Sequence, residues 1–186
     1  MPTGSEPKPA HLATGPDATP RAATTATGAP PGSVLLVSAC LLGVRCNHRG
    51  EANTSPAVAM LADHHRLVPV CPETLGGLPT PRPAAELQPD GTVRTAGGDD
   101  VTAAFRRGAA ATVALAAAVG ASAAVLKARS PSCGCHSVYD GTFSRSAVEG
   151  RGVTAAALAA AGLTVEDEED VGRVAEAAAP VRPVPW

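Results

Sequence analysis

Short apolar runs alternate with helical segments through most of the chain, and this alternation restricts the fold more than any other feature. Strands are predicted at residues 34–37, 67–70 and 123–128, with a last short strand in LTVED from residue 163. Between them lie predicted helices: SPAVAMLADHH from residue 55, the long segment 99–120, and GVTAAALAAAG ending at residue 162. Strands joined through helices of about ten or more residues pair in parallel through right-handed crossovers. We therefore predict an α/β fold: a single domain with a mainly parallel sheet flanked by helices, in a Rossmann-like three-layer arrangement.

Local signals mark the ends of these elements. Ser55 is a favourable N-cap followed by a proline, and Asp99 or Asp100 is expected to cap the long helix. Because Pro69 lacks a backbone N–H, the second strand is predicted to be an edge strand, a bulge or a strand end. The histidine pair at residues 64–65 is interpreted as a solvated helix end.

The composition of the two ends differs from that of the middle. Residues 1–32 are rich in Pro, Ala and Thr without hydrophobic periodicity, so we predict a disordered leader. The globular domain is predicted to span residues 33–166. Residues 167–186, acidic and then Pro-rich, are interpreted as a C-terminal tail that is loose or packed on the surface.

Charge and cysteine content exclude several classes of protein. A formal net charge of −2 and a pI near 6.2 give no basic footprint for nucleic acid. The N-terminus lacks the pattern of a secretory signal, and the most apolar window, 113–126, is too short to span a membrane, so a cytoplasmic protein is expected. In a reducing cytoplasm, five cysteines favour metal ligation or thiol chemistry over disulfides.

Three of the cysteines, Cys40, Cys71 and Cys133, each follow the carboxyl end of a predicted strand. The loops after parallel strands share one edge of the sheet, so these thiols are expected to converge on a ligand site. A convergent thiolate set suits zinc or an iron-sulfur cluster. The spacing alone is no strong metal signature, because no CxxC pair is present and a single cysteine is commonly just a small buried side chain. The roles of Cys46 and Cys135 stay open: each is a fourth ligand, a reactive thiol near the site, or a residue that only fills space.

Six motifs in order resemble the TudS-type thiouracil desulfurase family: SACLLGVRCN, VPVCPETLGGLPTPRPAAE, DVTAAF, LKARSPSCG, YDGTF and GVTAAAL. The resemblance covers about residues 34–163, nearly all of the predicted domain. It implies a 4Fe-4S cluster held by Cys40, Cys71 and Cys133, with the fourth iron free of protein ligands. It also implies catalytic roles for Glu73, in the CPE motif, and for Ser130, the first serine of SPSC.

Two departures from the family pattern leave questions open. The chain carries Cys135 directly after SPSCG, and it reads Cys46-Asn-His-Arg-Gly where CRYDG is frequent. The roles of Cys46, His48 and Cys135 are therefore unassigned.

Three more residues near the third strand are assigned to substrate binding: Lys127, Ser132 and Gly134. Ser132 is equally suited to cap a helix beginning near Cys133. Lys127 either offsets the negative charge of a thiolate-ligated cluster or extends its amine to water.

These inferences predict an enzyme that removes sulfur, as sulfide, from a thiolated pyrimidine such as 2-thiouracil or from a similar small thioamide. The reaction is expected to be a non-redox C–S bond cleavage, with the open iron of the cluster binding the substrate sulfur. One alternative is a persulfide sulfurtransferase with Cys133 or Cys135 as a low-pKa nucleophile. Another is a non-catalytic metal or redox sensor whose site is closed by Cys46.

Overall fold

The computed structural model describes Met1 and residues 32–172. Nearly all of the predicted leader, and the predicted tail beyond residue 172, lie outside the described residues. The central sheet has four parallel strands, β1 (Val34–Ser38), β2 (Arg66–Val70), β5 (Ala121–Leu126) and β8 (Thr164–Asp167), in the order β2-β1-β5-β8. The predicted parallel sheet is therefore confirmed. Pro69 lies in β2, which is an edge strand, as predicted.

Between residues 32 and 170, four α-helices accompany the strands: α1 (Pro56–Ala59), α2 (Pro72–Leu75), α3 (Thr102–Val119) and α4 (Val153–Ala160). A 3₁₀ turn spans Ala39–Leu42 after β1, and another, Met60–Asp63, continues α1. Ser55 caps α1 as predicted, since its side chain accepts a hydrogen bond from the N–H of Val58. At the start of α3, Asp100 rather than Asp99 accepts from the backbone N–H of Thr102, at 2.9 Å. None of the described helices is long and apolar enough to cross a membrane.

Alternate residues of β1 and β5 supply two buried clusters. Leu35, Val37 and Val125 pack with Val58 and Leu61 of the α1 segment. Leu36, Ala124 and Leu126 pack with residues of α3 and α4. Because both sheet faces are covered, the strands are continuous apolar runs rather than alternating ones. The structure confirms the predicted three-layer arrangement.

Two small antiparallel hairpins were not predicted. One pairs β3 (Ala85–Leu87) with β4 (Val93–Thr95), and the other pairs β6 (Ser137–Tyr139) with β7 (Ala147–Glu149). Each strand has only three residues and lies in a polar stretch rich in Gly, Pro and Ser, too short for a period to be recognised. The Asp90-Gly91 pair at the turn of the first hairpin was the available signal.

A close approach of backbones fixes α2 against α3. A Cβ atom on Gly76 would lie 2.1 Å from the carbonyl oxygen of Ala104, and one on Gly108 would lie 1.9 Å from that of Pro72. Only glycine is compatible with these distances. The two glycines thus determine where the first turn of α2, with Glu73, lies relative to the sheet.

The interpretation of His65 as solvated is wrong. The side chain is 6% exposed, and neither ring nitrogen has a hydrogen-bond partner among the described residues. The chain turns directly from the 3₁₀ segment into β2 at this point, which carries His65 inward while His64 stays at the surface.

Candidate active site

A cavity of about 640 Å³ opens at the carboxyl ends of β1, β2 and β5. Its lining includes seven residues with reactive or polar groups that matter for the chemistry: Cys40, Cys46, Cys71, Glu73, Lys127, Ser130 and Cys133. This is the edge at which open parallel sheets bind ligands. Six of the eight predicted site residues are therefore brought together here.

The three predicted ligands arrive from three strand ends. Cys40 lies in the 3₁₀ turn after β1, Cys71 directly follows β2, and Cys133 lies in the turn after β5. Cys40 is 8% exposed and Cys133 is 5% exposed, whereas Cys71 is half-buried. All five cysteines are free thiols.

The spacing of the thiols discriminates between metals. Zinc with Zn–S bonds of about 2.3 Å brings tetrahedral sulfur ligands within about 4 Å of one another. Within residues 32–172, no three cysteine sulfurs lie within 4.8 Å of one another. The donor set is all sulfur and is not drawn together around a single point, and an all-sulfur set is compatible with the iron-sulfur group that the sequence predicts.

Polar side chains form hydrogen bonds with two of these sulfurs, those of Cys133 and Cys40. Burial raises the pKa of Cys133 to about 12, and a hydrogen bond from Ser38 opposes this less strongly. The hydroxyl oxygen of Ser38 also accepts from the backbone N–H of Lys127 at 2.9 Å, which ties β1 to the end of β5. Burial likewise raises the pKa of Cys40, opposed by a hydrogen bond from Asn53. The raised pKa values favour the neutral thiol at Cys40 and Cys133, and a bound cation would be needed to hold these two as thiolates.

Glu73 lies in the first turn of α2 and is held by an arginine that sequence reasoning missed. The Nε of Arg82 donates to Glu73 Oε2 at 2.6 Å, and the two side chains are 5% and 17% exposed. Arg82 also donates to the backbone oxygens of Cys46, at 3.1 Å, and Pro79, at 3.2 Å. The available signal was the proline-rich segment PTPRP, which carries Arg82 in the same motif as Glu73.

Ser130 lines the cavity at the start of the turn that carries Cys133. Its hydroxyl oxygen accepts from the backbone N–H groups of Ser132 and Cys133, each at 3.1 Å. The helix expected near Cys133 is absent, because residues 131–133 form only a turn. The hydroxyl hydrogen of Ser130 remains available to a molecule in the cavity.

Ser132 and Gly134 do not line the cavity, in contrast to the prediction that they bind substrate. Ser132 is fully buried and its hydroxyl pairs with that of Thr154 at 2.9 Å. A Cβ on Gly134 would lie 2.5 Å from the carbonyl oxygen of Ser137. Both residues instead fix the fold of the loop that presents Ser130 and Cys133.

The acidic segment after β8 packs against this loop. Glu168 pairs with the amine of Lys127 and accepts from the backbone N–H of Ala128 at 2.6 Å. Glu169 pairs with Arg129 on the surface. Strand β8 itself runs to Asp167, one residue past the predicted domain boundary. The start of the predicted tail thus packs behind the wall of the site, against residues that line it.

The unassigned residues separate into two groups. Cys46 lines the cavity, and burial together with the nearby Cys71 raises its pKa to about 12. His48 also lines the cavity, and its pKa is lowered by partial burial and by Arg49. Cys135 is 2% exposed and lies outside the lining, and burial raises its pKa far above that of a reactive thiol. This disfavours Cys135 as a low-pKa nucleophile.

Fold and site together define an α/β protein with a thiol-lined cofactor cavity at the carboxyl edge of its parallel sheet. Residues 35–170 match the family model described as 2-thiouracil desulfurase. The chain is 42% identical over 150 residues to the uncharacterized protein YbbK of Bacillus subtilis (strain 168), covering 76% of this chain and 99% of that protein. A solved structure described as the [4Fe-4S]-dependent thiouracil desulfidase TudS is similar, with a TM-score of 0.73 and 41% identity over 78% of this chain and 97% of the other.

This chain belongs to the 2-thiouracil desulfurase family. The match spans the central sheet except for Val34 and includes every residue that lines the cavity. The resemblance inferred from the sequence motifs is thereby confirmed.

Proposed function

We propose that this protein is a 4Fe-4S-dependent desulfurase that removes sulfur as hydrosulfide from a thiolated pyrimidine, such as 2-thiouracil, or from a similar small thioamide. The observation that carries the proposal is the cavity in which cysteines from three strand ends meet Glu73 and Ser130. Family membership and a 41% identical structure described as a [4Fe-4S]-dependent desulfidase support the same activity.

Cys40, Cys71 and Cys133 would hold the cluster, since they are the thiols that the three strand ends bring to the cavity. When bound through three protein ligands, a 4Fe-4S cluster supplies one iron that acts as a soft Lewis acid toward a thiocarbonyl sulfur. Lys127 lies on the wall of the same cavity, where its positive charge offsets part of the thiolate charge.

Glu73 is the proposed general base. Its carboxylate takes a proton from the water that attacks the thiocarbonyl carbon, and Arg82 holds the carboxylate in place through the 2.6 Å ion pair. The proton is then passed to the departing sulfur. The C=S carbon becomes a C=O carbon, water supplies the oxygen and releases its second proton to solvent, and the sulfur leaves as hydrosulfide without net electron transfer.

Ser130 is the proposed hydrogen-bond donor to the substrate. Its oxygen is occupied by two backbone N–H groups, so its hydroxyl hydrogen is directed away from them. A fixed donor at the edge of the cavity orients a ring nitrogen or oxygen of the bound heterocycle.

Anaerobic reconstitution followed by iron and acid-labile sulfide analysis tests the cofactor assignment. We expect about four irons and four sulfides per chain and a broad visible absorption band. Fewer than three irons per chain with a featureless visible spectrum would contradict the proposal. A sample that contains only zinc would do the same.

A second candidate, a sensor with a closed cluster, rests on the position of Cys46 in the same cavity. Replacing Cys46 with Ala separates the two functions. A closed site loses its cluster in this variant, whereas the open site of the desulfurase retains it.

A further inference from the structure

Several residues that line the cavity have a backbone in the left-handed conformation, with a positive φ angle. Three residues other than glycine have a positive φ in the described part of the chain: Arg129 (59°), Phe143 (59°) and Arg145 (66°). All three line the cavity. The left-handed conformation is uncommon for residues with large side chains, and such residues persist only where the surroundings enforce them.

Phe143 lies in the loop of residues 140–146, which joins β6 to β7 and is held by bonds from several sides. The carboxylate of Asp140 accepts from the backbone N–H of Thr142 at 3.0 Å. The side chain of Gln88 donates to the carbonyl oxygen of Gly141 at 3.2 Å. The loop therefore holds the backbone of Phe143 at a fixed position on the cavity wall.

The strained amide of Phe143 itself is held by a buried carboxylate. Oε2 of Glu86, in β3, accepts from the N–H of Phe143 at 2.9 Å. Glu86 is 7% exposed and forms no ion pair with any described residue. Burying a carboxylate that has no ion-pair partner lowers the stability of the fold. The fold nevertheless keeps Glu86 in the position where it holds the backbone N–H of Phe143.

Aromatic residues are scarce in this chain, which makes their placement informative. The sequence has two Phe, one Tyr and one Trp. Phe105 is a core residue and Trp186 lies outside the described residues, whereas Tyr139 and Phe143 both line the cavity. Phe143 is 37% exposed and belongs to neither buried cluster, so its ring is not needed for core packing. An exposed aromatic face beside a cavity matches a planar ligand, on which it can stack.

We propose that Phe143 is a specificity-determining residue that stacks on the ring of the substrate and restricts the enzyme to planar heterocyclic thioamides, and that Glu86 is the residue that positions it. The inference rests on the proposed function. It adds that acyclic thioamides with the same C=S group gain nothing from this contact.

Equilibrium binding to the cluster-loaded protein tests the proposal without turnover. The ligands are uracil, which is the ring of the expected product, and thiourea, which has the C=S group without a ring. In Phe143→Leu, which keeps an apolar side chain without a π face, uracil binding should weaken roughly 5-fold or more. Thiourea binding should change by less than about twofold, since stacking contributes nothing to it. Phe143→Tyr should retain most of the affinity for uracil.

The matched control is Val148→Ala, in β7 of the same hairpin. Val148 is 48% exposed and does not line the cavity, so this variant should bind uracil as the unmodified protein does. Equal losses for uracil and thiourea in Phe143→Leu would overturn the proposal, as would unchanged uracil binding or a lack of uracil binding by the unmodified protein. Failure of the desulfurase reaction would appear separately, as a lack of sulfide release from 2-thiouracil.

A double-mutant cycle tests the positioning role of Glu86. Glu86→Ala should reduce uracil binding selectively, while iron content stays unchanged. In the Phe143→Leu background the same substitution should cause little further loss, because the contact that it positions is already gone. Additive losses of uracil affinity, or equal losses of affinity for uracil and thiourea, would show that Glu86 has a general structural role and does not position Phe143.

Discussion

The cysteine edge and the surrounding wall of the cavity are built in different ways. The edge, with Cys40, Cys71 and Cys133, is defined by where three neighbouring parallel strands end. The wall consists of parts of two short hairpins and the loop with Arg82, with the acidic segment after β8 packed behind it, and it is held by hydrogen bonds and ion pairs between distant residues. Sheet topology thus brings the three proposed cluster ligands together, whereas specific side-chain contacts fix the shape and chemistry of the space beside them.

The largest effect is expected at the edge. Cys133→Ala should abolish both iron binding and sulfide release, because it removes one of the three proposed ligands. Cys135→Ala, two residues further along and outside the cavity lining, should retain iron and is the matched control. Iron analysis of both variants after the same reconstitution measures this. If Cys135→Ala lost its iron and Cys133→Ala kept it, the assignment of the edge would be reversed.

A substitution in the wall should separate chemistry from cofactor binding. Glu73→Gln is expected to keep the iron content and lower the rate of sulfide release by about 100-fold or more, since it removes the proposed general base. Glu149→Gln, an exposed carboxylate in β7, provides the control. A rate within about tenfold of that of the unmodified protein would show that Glu73 is not the base.

The acidic segment behind the wall contains two adjacent ion pairs that can be compared. Glu168 has a side chain that is 14% exposed and also accepts from a backbone N–H, whereas Glu169 is 53% exposed. Glu168→Gln should lower the free energy of unfolding by about 1–2 kcal/mol, and Glu169→Gln by no more than about 0.5 kcal/mol. Urea denaturation measures both. Equal losses of unfolding free energy in the two variants would mean that Glu168 stabilises the fold no more than an exposed ion pair does.

The smallest effect is expected at His65, which belongs to neither region. Because burial lowers the pKa of His65 in the folded protein, the unfolded chain binds more protons and stability falls as the pH drops through the ordinary histidine pKa. His65→Leu should raise the free energy of unfolding by about 1 kcal/mol at neutral pH and reduce its pH dependence between about pH 5 and 7. Sulfide release should not change. An unaltered pH dependence would indicate that His65 is not buried as a neutral ring.

The contrast between the cysteine edge and the cavity wall also explains which features could be predicted from the sequence. The parallel sheet and the convergence of Cys40, Cys71 and Cys133 follow from apolar runs and their order, which are local patterns. The contact of Glu86 with Phe143 joins residues 57 positions apart, and that of Lys127 with Glu168 joins residues 41 positions apart. No periodicity marks such pairs.

Other predictions failed because burial is not visible in short polar motifs. Ser132 and Gly134 lie in the motif that carries Cys133, and the sequence does not show that one faces Thr154 and the other a backbone carbonyl. The same holds for His65, whose neighbour His64 is at the surface.

Product stoichiometry tests the central claim most directly. Cluster-loaded protein, incubated anaerobically with 2-thiouracil and no added reductant, should form uracil and hydrosulfide in equal amounts over many turnovers, and protein without iron should form neither. Turnover by the iron-free protein, or a strict requirement for an external reductant, would contradict the account.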